Sequence, residues 1–155
     1  MILGLLKYGK ADLAYELFKK IAPGYIVGDN TEIKNKCLPY MFSNCYFGPE
    51  HKNSAFQMEY SWITGSVAWY TNTMENYLVG VRATYEGLVI EPHLPFDGAK
   101  MKRSFRGAEY EISVSNPDGK AKDYTLEITV DGKKLDGNIV PSFGNGKHTV
   151  NVIVK

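Results

Sequence analysis

The spacing of apolar residues changes near residue 85. Before that point they recur with a helical period; after it they alternate, and turn residues come often. Ala11, Leu13, Ala14, Leu17, Phe18 and Ile21 fit the 3.6-residue period of an amphipathic helix. Pro23-Gly24 ends that helix, and Lys19 and Lys20 fall in its last turn, where cations suit the dipole. Its apolar stripe needs a cover, and the rest of the chain offers few helices to supply one. A second helix is predicted from about Thr64 to Val79, with Val67, Tyr70, Met74, Tyr77, Leu78 and Val81 on one face. Ser61 or Thr64 suits its start, and Gly80 suits its end. Between the helices, residues 25–60 show no period. They hold the turn signals Gly28-Asp29-Asn30, Leu38-Pro39 and Gly48-Pro49, and too many aromatics for disorder.

Strands are predicted beyond residue 85. Leu88-Val89-Ile90 is a short apolar run closed by Glu91-Pro92, and Met101 to Phe105 leads into a break at Gly107. Tyr110, Ile112 and Val114 alternate with Glu109, Glu111 and Ser113; Leu126, Ile128 and Val130 alternate with Glu127 and Thr129. Val150, Val152 and Val154 form a last alternating face. Asn116-Pro117-Asp118-Gly119 reads as a turn and Asp131-Gly132 as a hairpin. Period two with one polar face predicts an antiparallel sheet covered on one side, so the fold class is α+β ending in a small antiparallel β-sandwich.

Composition narrows the function. Eighteen basic and seventeen acidic side chains leave a net charge of +1, which gives no field to steer a polyanion, so no nucleic-acid partner is expected. No stretch approaches the roughly 18 apolar residues of a membrane span, and the apolar start at Met1–Lys7 is too short for a signal sequence. A cytoplasmic protein with no membrane partner is the expectation. Cys37 and Cys45 fit a disulfide or two reduced thiols, and the second suits that compartment. Eleven Tyr, seven Phe and two Trp can stack on sugars or fill cores.

The stretch Ser61-Trp62-Ile63-Thr64-Gly65-Ser66 is the most informative in chemical terms. It opens a helix, where about four amide N–H groups lack internal partners and the dipole is positive. An anion can accept from those amides, and Gly65 lets it come close. Simple N-capping by Thr64 or Ser66 explains the same spacing. The acids Glu50 and Glu59, the scattered His51, His93 and His148, and the basic Lys102, Arg103 and Arg106 form no pattern that fixes a reaction.

Several blocks, in order, resemble the C-terminal part of the cellobiose and chitobiose phosphorylases of glycoside hydrolase family 94. They are Tyr8-Gly9-Lys10-Ala11-Asp12-Leu13-Ala14-Tyr15-Glu16-Leu17, Trp62-Ile63-Thr64-Gly65-Ser66, Tyr77-Leu78-Val79-Gly80-Val81-Arg82 and Tyr85 through Pro95. Phe105-Arg106-Gly107-Ala108-Glu109-Tyr110-Glu111-Ile112 and Val130-Asp131-Gly132-Lys133 continue the series. The resemblance implies the last helices of an (α/α)6 barrel over residues 1–85 and a C-terminal β-sheet domain over residues 86–155. It implies inverting phosphorolysis of a β-linked disaccharide or oligosaccharide to an α-sugar 1-phosphate, with inorganic phosphate as co-substrate and no cofactor or metal. Phosphate would be held by Thr64 and Gly65, and Asn44 is the nearest match to a sugar-binding amide. No match to the catalytic aspartic acid is found, so activity is expected to need an upstream barrel segment; a homodimer also fits the resemblance. A non-catalytic carbohydrate-binding or scaffolding β-domain, or a fragment of a β-glucan synthase, are the alternative readings.

Overall fold

The computed structural model describes residues 1–22, 42, 45–55, 57–59 and 65–155. They fall into two compact units, Met1–Ala14 with Asn72–Lys155, and Tyr15–Thr71.

Helix α1 (Ile2–Lys7) is too short to show a period and escapes a reading of the pattern. It buries Leu6 and closes with Lys10 N–H donating to Leu5 O at 2.8 Å. Helix α2 (Ala11–Ile21) forms where the periodicity places it. Its apolar residues divide between two faces. Ala11, Ala14, Phe18 and Ala22 are buried, whereas Leu13 is 53% and Ile21 47% exposed.

In the unit Tyr15–Thr71, a two-stranded ribbon pairs β1 (Cys45–Tyr46) with β2 (Met58–Glu59), inside the stretch that shows no period in sequence. The Phe18 ring meets Tyr70 edge-on at 4.8 Å, and Phe42 approaches the same ring at 4.8 Å. These aromatics therefore serve packing. Helix α3 (Gly65–Thr73) runs into a π-helical turn, Met74–Leu78.

The sheets belong to the other unit. One has the antiparallel order β3 (Val81–Ala83), β4 (Leu88–Ile90), β9 (Ile139–Val140). The second has the order β5 (Gly98–Phe105), β6 (Ala108–Ser115), β10 (Gly146–Val154), β7 (Leu126–Val130), β8 (Lys133–Leu135). The alternation reads through to the core: Tyr110, Ile112, Val114, Ile128, Val130, Val150, Val152 and Val154 are all buried, as are Val81, Leu88, Ile90, Leu94 and Val140. A bond from Tyr110 Oη of β6 to Pro141 O at 3.4 Å ties the two sheets, and Asn138 Nδ2 donates to Ile90 O at 3.2 Å beside the β4–β9 pairing.

The expected all-antiparallel sandwich needs one correction. β10 pairs antiparallel with β7 but parallel with β6, in the register Val150↔Ile112 and Val152↔Val114. The larger sheet is mixed because β10 inserts between two strands that run oppositely. Alternation reports which face a strand buries and carries no information on the direction of its neighbours. Two of the antiparallel contacts follow short turns. β5 and β6 meet at Arg106-Gly107, and β7 and β8 at Asp131-Gly132, where φ is +50° and +77°.

Candidate functional site

Of the residues singled out by sequence, Thr64 and Asn44 lie outside the described residues, as do Ser61 and Trp62. Gly65 is the first residue of α3 and is exposed. Among the described residues, no atom beyond its chain neighbours and its own helix backbone lies within 4 Å of where its Cβ would stand. The first turn contains no acidic residue, so no carboxylate of that turn competes with an anion for its amides. No residue of α3 is buried, and Trp69 is 71% exposed. The apolar face expected along the helix is buried only at Leu78, and Val81, expected on the same face, is instead the buried first residue of β3. The π-helical turn explains part of this. Its wider i→i+5 closure, seen in Val79 N–H donating to Met74 O at 2.8 Å, shifts Tyr77 and Leu78 out of the 3.6-residue phase.

That turn is held firmly by two side chains. Arg103 of β5 donates from Nη1 to Asn76 Oδ1 at 2.8 Å and to Val81 O at 2.7 Å, with Glu75 4.0 Å away. His93 Nδ1 bonds to Tyr77 O at 3.0 Å, and His93 N–H donates to Leu78 O at 2.9 Å. Hydrogen bonds involving an ionised partner are worth about 1.5–3 kcal/mol each. Arg103→Ala is therefore expected to cost about 2–3 kcal/mol in urea unfolding, and Arg103→Lys to restore only part of it, because an ammonium lacks the planar fork. A loss below about 0.5 kcal/mol would assign the anchoring to His93 instead.

The basic run Lys102, Arg103, Arg106 does not form one surface. Lys102 points out and pairs with Glu111 at 2.8 Å, Arg103 turns to the opposite face, and Arg106 Nη2 donates to Tyr85 O at 2.8 Å. The Lys102 ammonium holds the Glu111 carboxyl below its ordinary range, first through their hydrogen bond. Among the described residues no group of three His, Cys, Asp or Glu side chains is placed to hold a metal ion. Cys45 is half-buried in β1 and Cys37 lies outside the described residues. No helix among the described residues is long and apolar enough to cross a membrane.

A groove of about 340 Å³ is lined by Leu6, Lys7, Tyr77, Arg82, Glu91 and His93. Its polar groups satisfy one another. Arg82 pairs with Glu91 at 3.5 Å, and both Arg82 and Lys7 lie against the Tyr77 ring, 5.5 and 5.6 Å from its centroid. Nearby, Tyr124 Oη donates to Pro92 O at 2.6 Å; burial, and then the Glu91 charge, push this phenol up to about 12. It stays a neutral donor throughout the physiological range.

A cluster that sequence reasoning missed joins the β7–β8 turn to β10. His148 Nδ1 lies 2.7 Å from Asp131 Oδ2, and its Nε2 lies 3.0 Å from Asn145 O. Thr149 N–H donates to Asp131 Oδ1 at 2.8 Å. The Phe143 ring stacks on the imidazole at 4.4 Å. The signal was present in Asp131-Gly132, but only the β7–β10 register brings Thr149 and His148 to it.

No protein-family model matches this sequence. Individual proteins do. Solabiose phosphorylase of Paenibacillus borealis is 31% identical over 147 residues, which covers 93% of this chain and 19% of that protein. N,N'-diacetylchitobiose phosphorylase of Vibrio proteolyticus is 31% identical over 150 residues, covering 96% of this chain and 18% of its own length. The 3-O-beta-D-glucopyranosyl-beta-D-glucuronide phosphorylase of Paenibacillus borealis is 32% identical over 126 residues, covering 80% and 16%. The chain thus spans about a fifth of the length of the curated relatives it matches.

Proposed function

This chain is homologous to disaccharide phosphorylases over nearly its full length, and on that basis we propose that it is the C-terminal part of such an enzyme and carries one edge of its phosphate site. The observation that supports this best is the continuous match over more than nine-tenths of the chain. The substrates in this reading are inorganic phosphate and a β-linked disaccharide or oligosaccharide, cleaved with inversion to an α-sugar 1-phosphate. The amides at the start of α3, with the Thr64 hydroxyl and the open face of Gly65, bind phosphate and aim one oxygen at the anomeric carbon. A carboxylic acid from another segment protonates the leaving oxygen from the opposite side. Phosphate is itself an anionic nucleophile, so no second carboxylate is needed as a base. Asn44 contacts the sugar in this scheme.

The outward residues Leu13 and Ile21 of α2, and Val67 and Trp69 of α3, fit the same reading. Apolar side chains at such positions are suited to cover by further helices of a barrel.

The test is made in the full-length polypeptide that carries this segment. Thr64→Ala is expected to raise KM for phosphate about tenfold to a hundredfold, the worth of one charge-assisted hydrogen bond, while KM for the disaccharide moves little. Equal rises in both constants would remove Thr64 from the phosphate site. Formation of a sugar 1-phosphate by the longer polypeptide, and none by residues 1–155 alone, is the companion expectation.

A further inference from the structure

We propose that His148 is an imidazolium clamp that fastens the β9–β10 loop to the sheet, and that its deprotonation releases the loop: a pH-gated latch at one end of the five-stranded sheet.

The two neighbours of the ring suit its protonated form. Nδ1 faces a carboxylate oxygen of Asp131 at 2.7 Å and Nε2 faces the Asn145 carbonyl at 3.0 Å. A carbonyl only accepts, and an ionised carboxylate only accepts, so both ring nitrogens must donate, which only the cationic ring can do. Asp131 is kept ionised by its surroundings. The bond to His148 and the amide of Thr149 hold its carboxyl below the ordinary range, and Lys133 adds to this. The same Asp131 bond, followed by that to Asn145, raises the imidazole above its ordinary value.

Every element around the ring contributes to the clamp. From the β7–β8 turn comes Asp131, with Lys133 acting on it; from β6 comes Tyr110, its ring centroid 5.5 Å away. From the loop come Phe143 and the Asn145 carbonyl. On β10 itself the adjacent Lys147 pairs outward with Glu109 at 3.6 Å. The stacked Phe143 ring favours the charged imidazole, as aromatic faces attract cations. The loop has one further anchor: Phe143 N–H donates to Tyr110 Oη at 3.3 Å.

The sign follows from the two shifts. His148 is raised, so its contribution is complete below the ordinary imidazole value and is lost as pH rises through its folded midpoint. Asp131 is lowered, so its contribution is present above the ordinary carboxylate value and is lost only as pH falls through its own depressed midpoint. The latch is shut between those midpoints. Once the imidazole is neutral, Nδ1–H keeps Asp131 while Nε2 presents a lone pair to the Asn145 carbonyl, and the loop end is repelled.

Nitrogen-15 NMR of this chain tests the latch directly. At pH 6 both imidazole nitrogens of His148 are expected at protonated shifts, with a titration midpoint above that of an exposed histidine. The backbone amides of Phe143, Asn145 and Gly146 are expected to titrate with the same midpoint, because loop closure and imidazole protonation are linked. Asp131→Asn is expected to lower the midpoint. A neutral tautomer at pH 6, or loop amides indifferent to the imidazole titration, would overturn the proposal. The wild-type titration alone decides this if the variant fails to fold.

Discussion

Gly80→Ala is expected to abolish cooperative folding of the unit that carries the sheets. Gly80 sits between the π-helical turn and β3 with φ at +76°, a conformation that costs an L-residue about 1–2 kcal/mol. Space is the larger obstacle. An alanine Cβ would stand 1.9 Å from Glu91 O and 2.6 Å from Pro92 N, backbone atoms that cannot swing away as a side-chain tip can. Moving them breaks the bond from Glu91 N–H to Gly80 O, 2.7 Å long, and disturbs the β3–β4 pairing of Val81 with Ile90. Strain, overlap and the lost bond together exceed about 4 kcal/mol, most of the stability of a small domain. Gly132→Ala is the matched control. Its φ is +77°, yet nothing lies within 4 Å of the added methyl. It is expected to fold with a melting temperature lower by roughly 4–8 °C. Equal destabilisation by the two substitutions would show that the approach of Glu91 contributes nothing.

Asn116→Ala is expected to cost about 3–4 kcal/mol. Asn116 is the fully buried polar residue among those described, and its amide is fully used. It donates to Leu94 O at 2.7 Å and to Lys120 O at 3.1 Å, and accepts from Lys120 N–H at 3.0 Å. Alanine removes all three bonds and leaves the Leu94 carbonyl buried without that donor, a penalty beyond the bonds themselves. The urea midpoint is expected to fall by roughly 2 M. Asn116→Asp separates the donors from the acceptor. A carboxylate still accepts from Lys120 N–H but faces two carbonyls with no hydrogen to offer. That variant is expected to be less stable than wild type at pH 7 and to recover as the acid protonates at pH 4. A loss of under 1 kcal/mol for alanine would mean that the turn Asn116–Gly119 holds by backbone bonds alone, such as Gly119 N–H to Asn116 O at 3.0 Å.

Local chemistry made much of the β-unit legible. Tyr110, Ile112 and Val114 point inward because successive side chains of a strand alternate, and nothing in the tertiary structure overrides that. Asp131-Gly132 turns because both residues tolerate positive φ. Helix α2 was readable for the same reason, through its 3.6-residue period. The anchor at Arg103 was not. Read along the strand it is one of three neighbouring cations, and only the packing of β5 beside the π-helical turn gives it Asn76 and Val81 as partners. The start of α3 was legible as a helix start, but capping and anion binding share one spacing, which the order of residues does not separate.

The order of residues was thus enough to specify helix α2, the inward faces of β6, β7 and β10, the tight turns and the kinship with disaccharide phosphorylases. These depend on contacts within a few residues or on identity along the chain. It took the folded chain to reveal that β10 lies parallel to β6, that Asn116 is a buried hub, and that His148 meets both Asp131 and Asn145. Each joins residues distant in sequence or depends on the order of strands, which hydrophobic alternation leaves undetermined because it distinguishes the two faces of a strand and not its two edges.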